Sequence, residues 1–81
     1  MTTIDSTTIQ RLRGYRLVVV SDRVSRVVDG SGRVIGHVAR AGDGDDARFR
    51  ARRFRATSGG FVDLGGFWHL EDAVAALHDS R

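Results

Sequence analysis

Leu70, Ala73, Val74 and Leu77 recur at i, i+3, i+4 and i+7, the spacing that gathers side chains on one face of an α-helix. Ala76 widens this stripe, while Glu71, Asp72, Ala75, His78 and Asp79 take the other side. The pattern predicts a helix over 69–79. Its first turn carries two carboxylates at the positive end of the helix dipole, and His78 lies towards the negative end. His69 occupies the capping position, where Ser, Thr or Asp would serve better. A helix of about ten residues is marginal alone in water. Its apolar stripe must be laid on a partner, and the strand-like runs that precede it are the only candidates. Phe67 and Trp68 sit where the chain turns from sheet to helix, and at least one of them is expected to plug that seam.

The runs are short and punctuated. Residues 15–20 and 24–29 are β-branched and aliphatic, as strands are. Asp29-Gly30-Ser31-Gly32 is the clearest turn, and 33–40 returns as its partner strand. Period-2 alternation puts Val34, Gly36 and Val38 on one face and Arg33, Ile35 and His37 on the other. A glycine inside a strand marks close approach of another group, so the helix or the Phe67/Trp68 pair is expected over Gly36. Residues 47–56 alternate Phe49 and Ala51 against Arg48, Arg50 and Arg52. The phase slips at Arg52-Arg53, where a bulge or a strand end is expected, and Phe54 then takes the apolar parity. Phe61–Leu64 is a further strand, and Gly65-Gly66 releases the chain to the helix. The expected fold is α+β: an antiparallel sheet of three to five strands with one C-terminal helix packed on one face. Residues 1–13 read as a flexible N-terminal segment, with a helical turn over 6–13 as an option, and 14–81 as a single small domain.

At 81 residues the chain is the size of one small domain. With no cysteine it has neither disulfide nor thiolate metal site. The first twenty residues lack the apolar run of a signal peptide, and Leu17–Val20 is far too short to span a bilayer, so a cytoplasmic protein without membrane contact is expected. His37, His69 and His78 do not converge at metal-ligand spacing. Asp43-Gly44-Asp45-Asp46 lacks the glycine and closing glutamate of a calcium loop. Gly30-Ser31-Gly32 is a turn rather than a nucleophile elbow, and no phosphate-binding loop with its lysine is present. No catalytic activity, cofactor or small-molecule substrate is expected.

All 13 basic residues are arginine, and the net charge is +3. Codon bias in a GC-rich genome accounts for the choice of arginine but not for its placement. Residues 47–56 hold five arginines and no acid. Such a strand either presents a solvated outer face or a basic face that meets phosphates. On the second reading Arg48, Arg50 and Arg52 contact nucleic acid, helped by Arg33 and Arg26 from neighbouring strands. The alternative is a protein partner, met through a strand edge or the acidic helix face.

Residues 64–77, from Leu64-Gly65-Gly66-Phe67 through Glu71-Asp72-Ala73 to Leu77, resemble the Gly-x-Phe-x-Thr-x-x-Glu-Ala ending of the arm-DNA-binding domains of tyrosine integrases. Gly65 or Gly66, Phe67 and Ala73 match; Asp72 stands for the glutamate and His69 for the threonine. The likeness covers residues 61–77. It implies a three-stranded antiparallel sheet backed by a C-terminal helix, with the sheet face laid in the DNA major groove.

Overall fold

In a computed structural model of the chain, which describes residues 9–80, six strands precede one helix. The strands are β1 (Ile9–Leu12), β2 (Tyr15–Val19), β3 (Val24–Val28), β4 (Val34–Ala41), β5 (Arg48–Arg55) and β6 (Gly60–Phe67), and the helix is α1 (Leu70–Asp79). A short 3-10 turn, Gly44–Asp46, links β4 to β5. Every strand pairs antiparallel with the next, so the sheet order is the sequence order. The α+β architecture with one C-terminal helix is as expected, but the sheet has six strands rather than three to five.

The additional strand is β1, which falls inside the segment expected to be flexible. Residues 1–8 lie outside the described residues; from Ile9 onward a strand stands where a helical turn was an option. β1 and β2 are joined by Arg13-Gly14, with φ of 54° and 83°. Two consecutive positive φ values define the two-residue turn whose twist suits a hairpin. The β3–β4 turn is held by one side chain. Asp29 Oδ1 accepts from the Ser31 amide at 2.9 Å, the Ser31 hydroxyl at 2.7 Å and the Arg33 amide at 2.9 Å. The Ser31 hydroxyl, followed by the Arg33 amide, holds the Asp29 carboxyl below its ordinary value.

Two bulges decide which side chains meet the helix. In β4 the register runs Val27 to Gly36 and then Val28 to Val34, leaving Ile35 as the extra residue. Ile35 therefore joins the core cluster with Val38, rather than sharing a face with Arg33 and His37. In β6 the register runs Ala51 to Gly65 and then Arg52 to Asp63, leaving Leu64 extra and packed on the core. Gly65 there has φ of 111°, a region that suits glycine. The slip expected at Arg52-Arg53 thus lies on the partner strand, and β5 runs unbroken to Arg55. Phe54 consequently keeps the parity of Arg48, Arg50 and Arg52 and is exposed. Arg53 takes the helix-facing side opposite Gly36 and is half-buried. Gly65 and Gly66 lie within β6, which continues to Phe67.

α1 packs on β4, β5 and β6. Ala73, Val74 and Leu77 are wholly covered and share one core cluster with Leu17, Val27, Val38 and Ala51 of the sheet. Burying each of the larger aliphatic side chains contributes about 1.5–3 kcal/mol. Phe67 packs against this core, whereas Trp68 is 55% exposed, so the seam is plugged by the first of the pair. His69 gives no side-chain cap; its carbonyl accepts from the amides of Asp72 and Ala73. At the other end of α1 the Tyr15 hydroxyl lies 2.7 Å from His78 Nδ1, tying β2 to the helix. Among the described residues no polar or charged side chain is buried.

Candidate nucleic-acid interface

With α1 on one side, no described element covers the opposite face of the sheet. Directly opposed residues in an antiparallel ladder share a face, so the register sorts the side chains. One row runs from β2 to β6: Val18, Arg26, His37, Arg52 and Asp63. The next row towards the β4–β5 turn holds Val24, Ala39, Arg50 and Gly66, and the one beyond it Ala41 and Arg48. Towards β1, Arg11 stands opposite Arg16, which stands opposite Val28. All these rows lie on the side of the sheet away from α1; at the β1–β3 end Val28 is buried and Arg16 half-buried, whereas Arg26, Arg48 and Arg52 are exposed. A side chain built at Gly66 would meet Arg50 and Arg48, whereas one built at Gly36 would meet Leu77 of the helix.

Asp63 is the one acidic residue within the six strands. Its Oδ1 accepts from the Gly65 amide at 2.9 Å, and its Oδ2 accepts from Arg50 at 2.5 Å. The Gly65 amide and then the Arg50 guanidinium hold this carboxyl below its ordinary value, so it is ionised at neutral pH. His37 is shifted down by partial burial first, and then by the like charges of Arg26 and Arg52 on either side. It is therefore neutral at pH 7. Arg11, Arg16, Arg26, Arg48 and Arg52 add positive charge to a face whose one strand carboxylate, Asp63, is bonded to Arg50 and stands opposite Arg52. Away from this face, Arg23 is paired with Asp43 at 3.3 Å across two loops.

Aromatic rings occupy both ends of the β5 arginine track. His37 and Phe61 stack with centroids 4.7 Å apart and planes at 28°, reaching over the intervening strand. Phe54 tilts against Phe61 at 5.4 Å. At the other end the Arg48 guanidinium lies 4.0 Å from the centre of the Trp68 ring. Phe54, Phe61 and Trp68 are 39%, 47% and 55% exposed, which leaves ring surface in solvent.

Of the residues expected in a phosphate-binding face, Arg48, Arg50 and Arg52 do share one side of β5, and Arg26 joins them through His37. Arg33 does not. It precedes β4 at the exposed end of the hairpin, where it flanks a shallow groove with Arg53, Phe54 and Arg55. Sequence reasoning missed Arg11 and Arg16, although Tyr15 and Leu17 on the core side imply that Arg16 points outward. It also missed the aromatic group, because Phe54 was given the apolar parity and Phe61 was assigned no face. Among the described residues no three His, Asp or Glu side chains group as metal ligands, and no helix is long and apolar enough to cross a membrane. Compared with protein-family models, curated proteins and solved structures, the chain matches none of them.

Proposed function

We propose that the protein is a non-catalytic nucleic-acid-binding module that acts in the cytoplasm and binds through the open face of its sheet. The observation that carries this reading is the charge of that face. Five arginines from β1, β2, β3 and β5 stand on it beside the Arg50–Asp63 pair, and among the described residues no other carboxylate lies in a strand. Alternate residues of β5 repeat at about 6.5–7 Å, close to the separation of successive phosphates along one strand. Arginine's fork suits phosphate oxygens. Docking by the sheet rather than the helix is also what the resemblance of residues 61–77 to integrase arm domains implies.

Fluorescence anisotropy of labelled oligonucleotides, single-stranded and duplex, at several salt concentrations tests the reading. Binding should weaken steeply with salt. Replacing Arg26, Arg48 and Arg52 together by alanine should lower the slope of log K against log salt by up to roughly 2–2.7, at 0.7–0.9 per lost phosphate contact. The melting temperature should hardly move, because all three residues are exposed. Absence of binding at low salt, or an unaltered slope in the folded variant, would sink the proposal. A protein partner at the outer edge of β6, which no other described strand pairs, would then be the better account.

A further inference from the structure

We infer that the open face takes a single strand rather than a duplex, with bases stacked on rings at both ends of the β5 arginine track. This inference rests on the nucleic-acid reading above and specifies its ligand. The juxtaposition behind it is His37, Phe54 and Phe61 at one end of the track, Arg52 and Arg50 along it, and Arg48 on Trp68 at the other. Six residue steps separate Phe54 from Arg48, about 20 Å at a strand's rise. That length suits a short site near the lower end of the roughly 4–16 nucleotides seen for single-strand binders.

A duplex presents its phosphates but hides the faces of its bases, so it leaves exposed rings unused. A single strand offers both charge and base faces, and arginines interleaved with aromatics are the combination that such a ligand exploits. The width of the sheet argues the same way. Six strands about 4.8 Å apart make a face some 24 Å across, against a B-DNA major groove about 12 Å wide that admits a two-stranded ribbon. The neutral His37 supplies a flat surface continuous with Phe61 without adding to the desolvation cost of a charge.

The test compares a labelled single strand of about 12 nucleotides with the same sequence annealed as a duplex, at one salt concentration. The single strand should bind at least about tenfold tighter and quench Trp68, the only tryptophan in the chain. Phe61→Ala should weaken single-strand binding by about 5- to 100-fold, while leaving the salt slope in place, since it removes stacking and not charge. Phe61→Trp should restore it. Should the alanine variant fold poorly, Phe61→Leu keeps apolar volume without a π face and serves in its place. A duplex bound as tightly as the strand, or an unaltered affinity in folded Phe61 variants, overturns the inference while salt-dependent duplex binding preserves the broader reading. A Phe61 variant that changes sedimentation but not oligonucleotide affinity also overturns it, and assigns the rings to contact between two copies of the chain. If neither nucleic acid binds, both readings fall together.

Discussion

Leu77 lies against the bare backbone of Gly36: a β-carbon on that glycine would stand 2.8 Å from Leu77 Cδ2 and would overlap the Arg52 carbonyl oxygen. The leucine can rotate away, but the carbonyl belongs to the neighbouring strand and cannot. Gly36→Val should therefore destabilise by about 1–3 kcal/mol or more, although valine is the better strand former. Leu77→Ala should lose about 2–5 kcal/mol by opening a cavity under the helix. Combining the two should recover little, because the carbonyl clash remains. Glu71→Ala, on the exposed side of α1, is the control and should be nearly silent. Thermal melts rank the four variants; a Gly36→Val protein as stable as the parent would mean that the helix does not close on β4.

How far the sequence reached depends on whether a feature is local. Helix α1 was legible because its apolar spacing and its burial coincide at Ala73, Val74 and Leu77. The close approach at Gly36 was legible because glycine inside a strand has few other uses. β1 was not, since its turn places a non-glycine residue, Arg13, at positive φ, where Asn-Gly or Asp-Gly would have announced a hairpin. The faces of β4 and the extent of β6 were misread for a different reason. A bulge is a relation between two strands, and Ile35 and Leu64 reach the core only because Val28 and Arg52 pair one residue further along. Moving the slip from β5 to β6 turned Phe54 outward, and that single change converts a stripe of arginines into a basic face with rings. Arg48, Arg50, Arg52 and Arg26 were within reach of period-2 counting; the meeting of His37 with Phe61 across β5 was not.

His37 links the stability of the sheet to pH. Partial burial, then Arg26 from β3 and Arg52 from β5, lower its folded value below about 6.5, the value expected in the unfolded chain. The unfolded chain then binds more protons in that window, so stability falls as pH drops through about 6.5 and the loss is complete below the folded value. Melting temperatures of the parent and of His37→Gln between about pH 7.5 and pH 5 should converge as the pH falls, because the variant lacks this term. Arg52→Ala should raise the His37 titration midpoint read by NMR, and so should a bound oligonucleotide, whose phosphates offset both arginines. A midpoint indifferent to Arg52 would show that the like charge beside the ring has no hold on it.

The pairing of Asp63 with Arg50 permits a change in the opposite direction to a loss of function. Asp63→Asn removes the carboxylate that opposes the arginine track, yet asparagine keeps an Oδ1 acceptor for the Gly65 amide and so keeps the bulge that seats Leu64. Exposed ion pairs contribute little to folding, so the melting temperature should change only slightly. Arg50 is then no longer neutralised and can meet a phosphate. Oligonucleotide binding should tighten at low salt, and the slope of log K against log salt should steepen by about 0.7 for a single strand or 0.9 for a duplex. Anisotropy titrations of parent and variant over the same salt series decide the matter. A steeper slope places Arg50 among the phosphate contacts. An unchanged or weaker binding in a folded Asp63→Asn protein would mean that Asp63 holds the guanidinium in the orientation the ligand needs, and the track would then be read with Arg50 as a fixed donor and Arg26, Arg48 and Arg52 as its mobile cations.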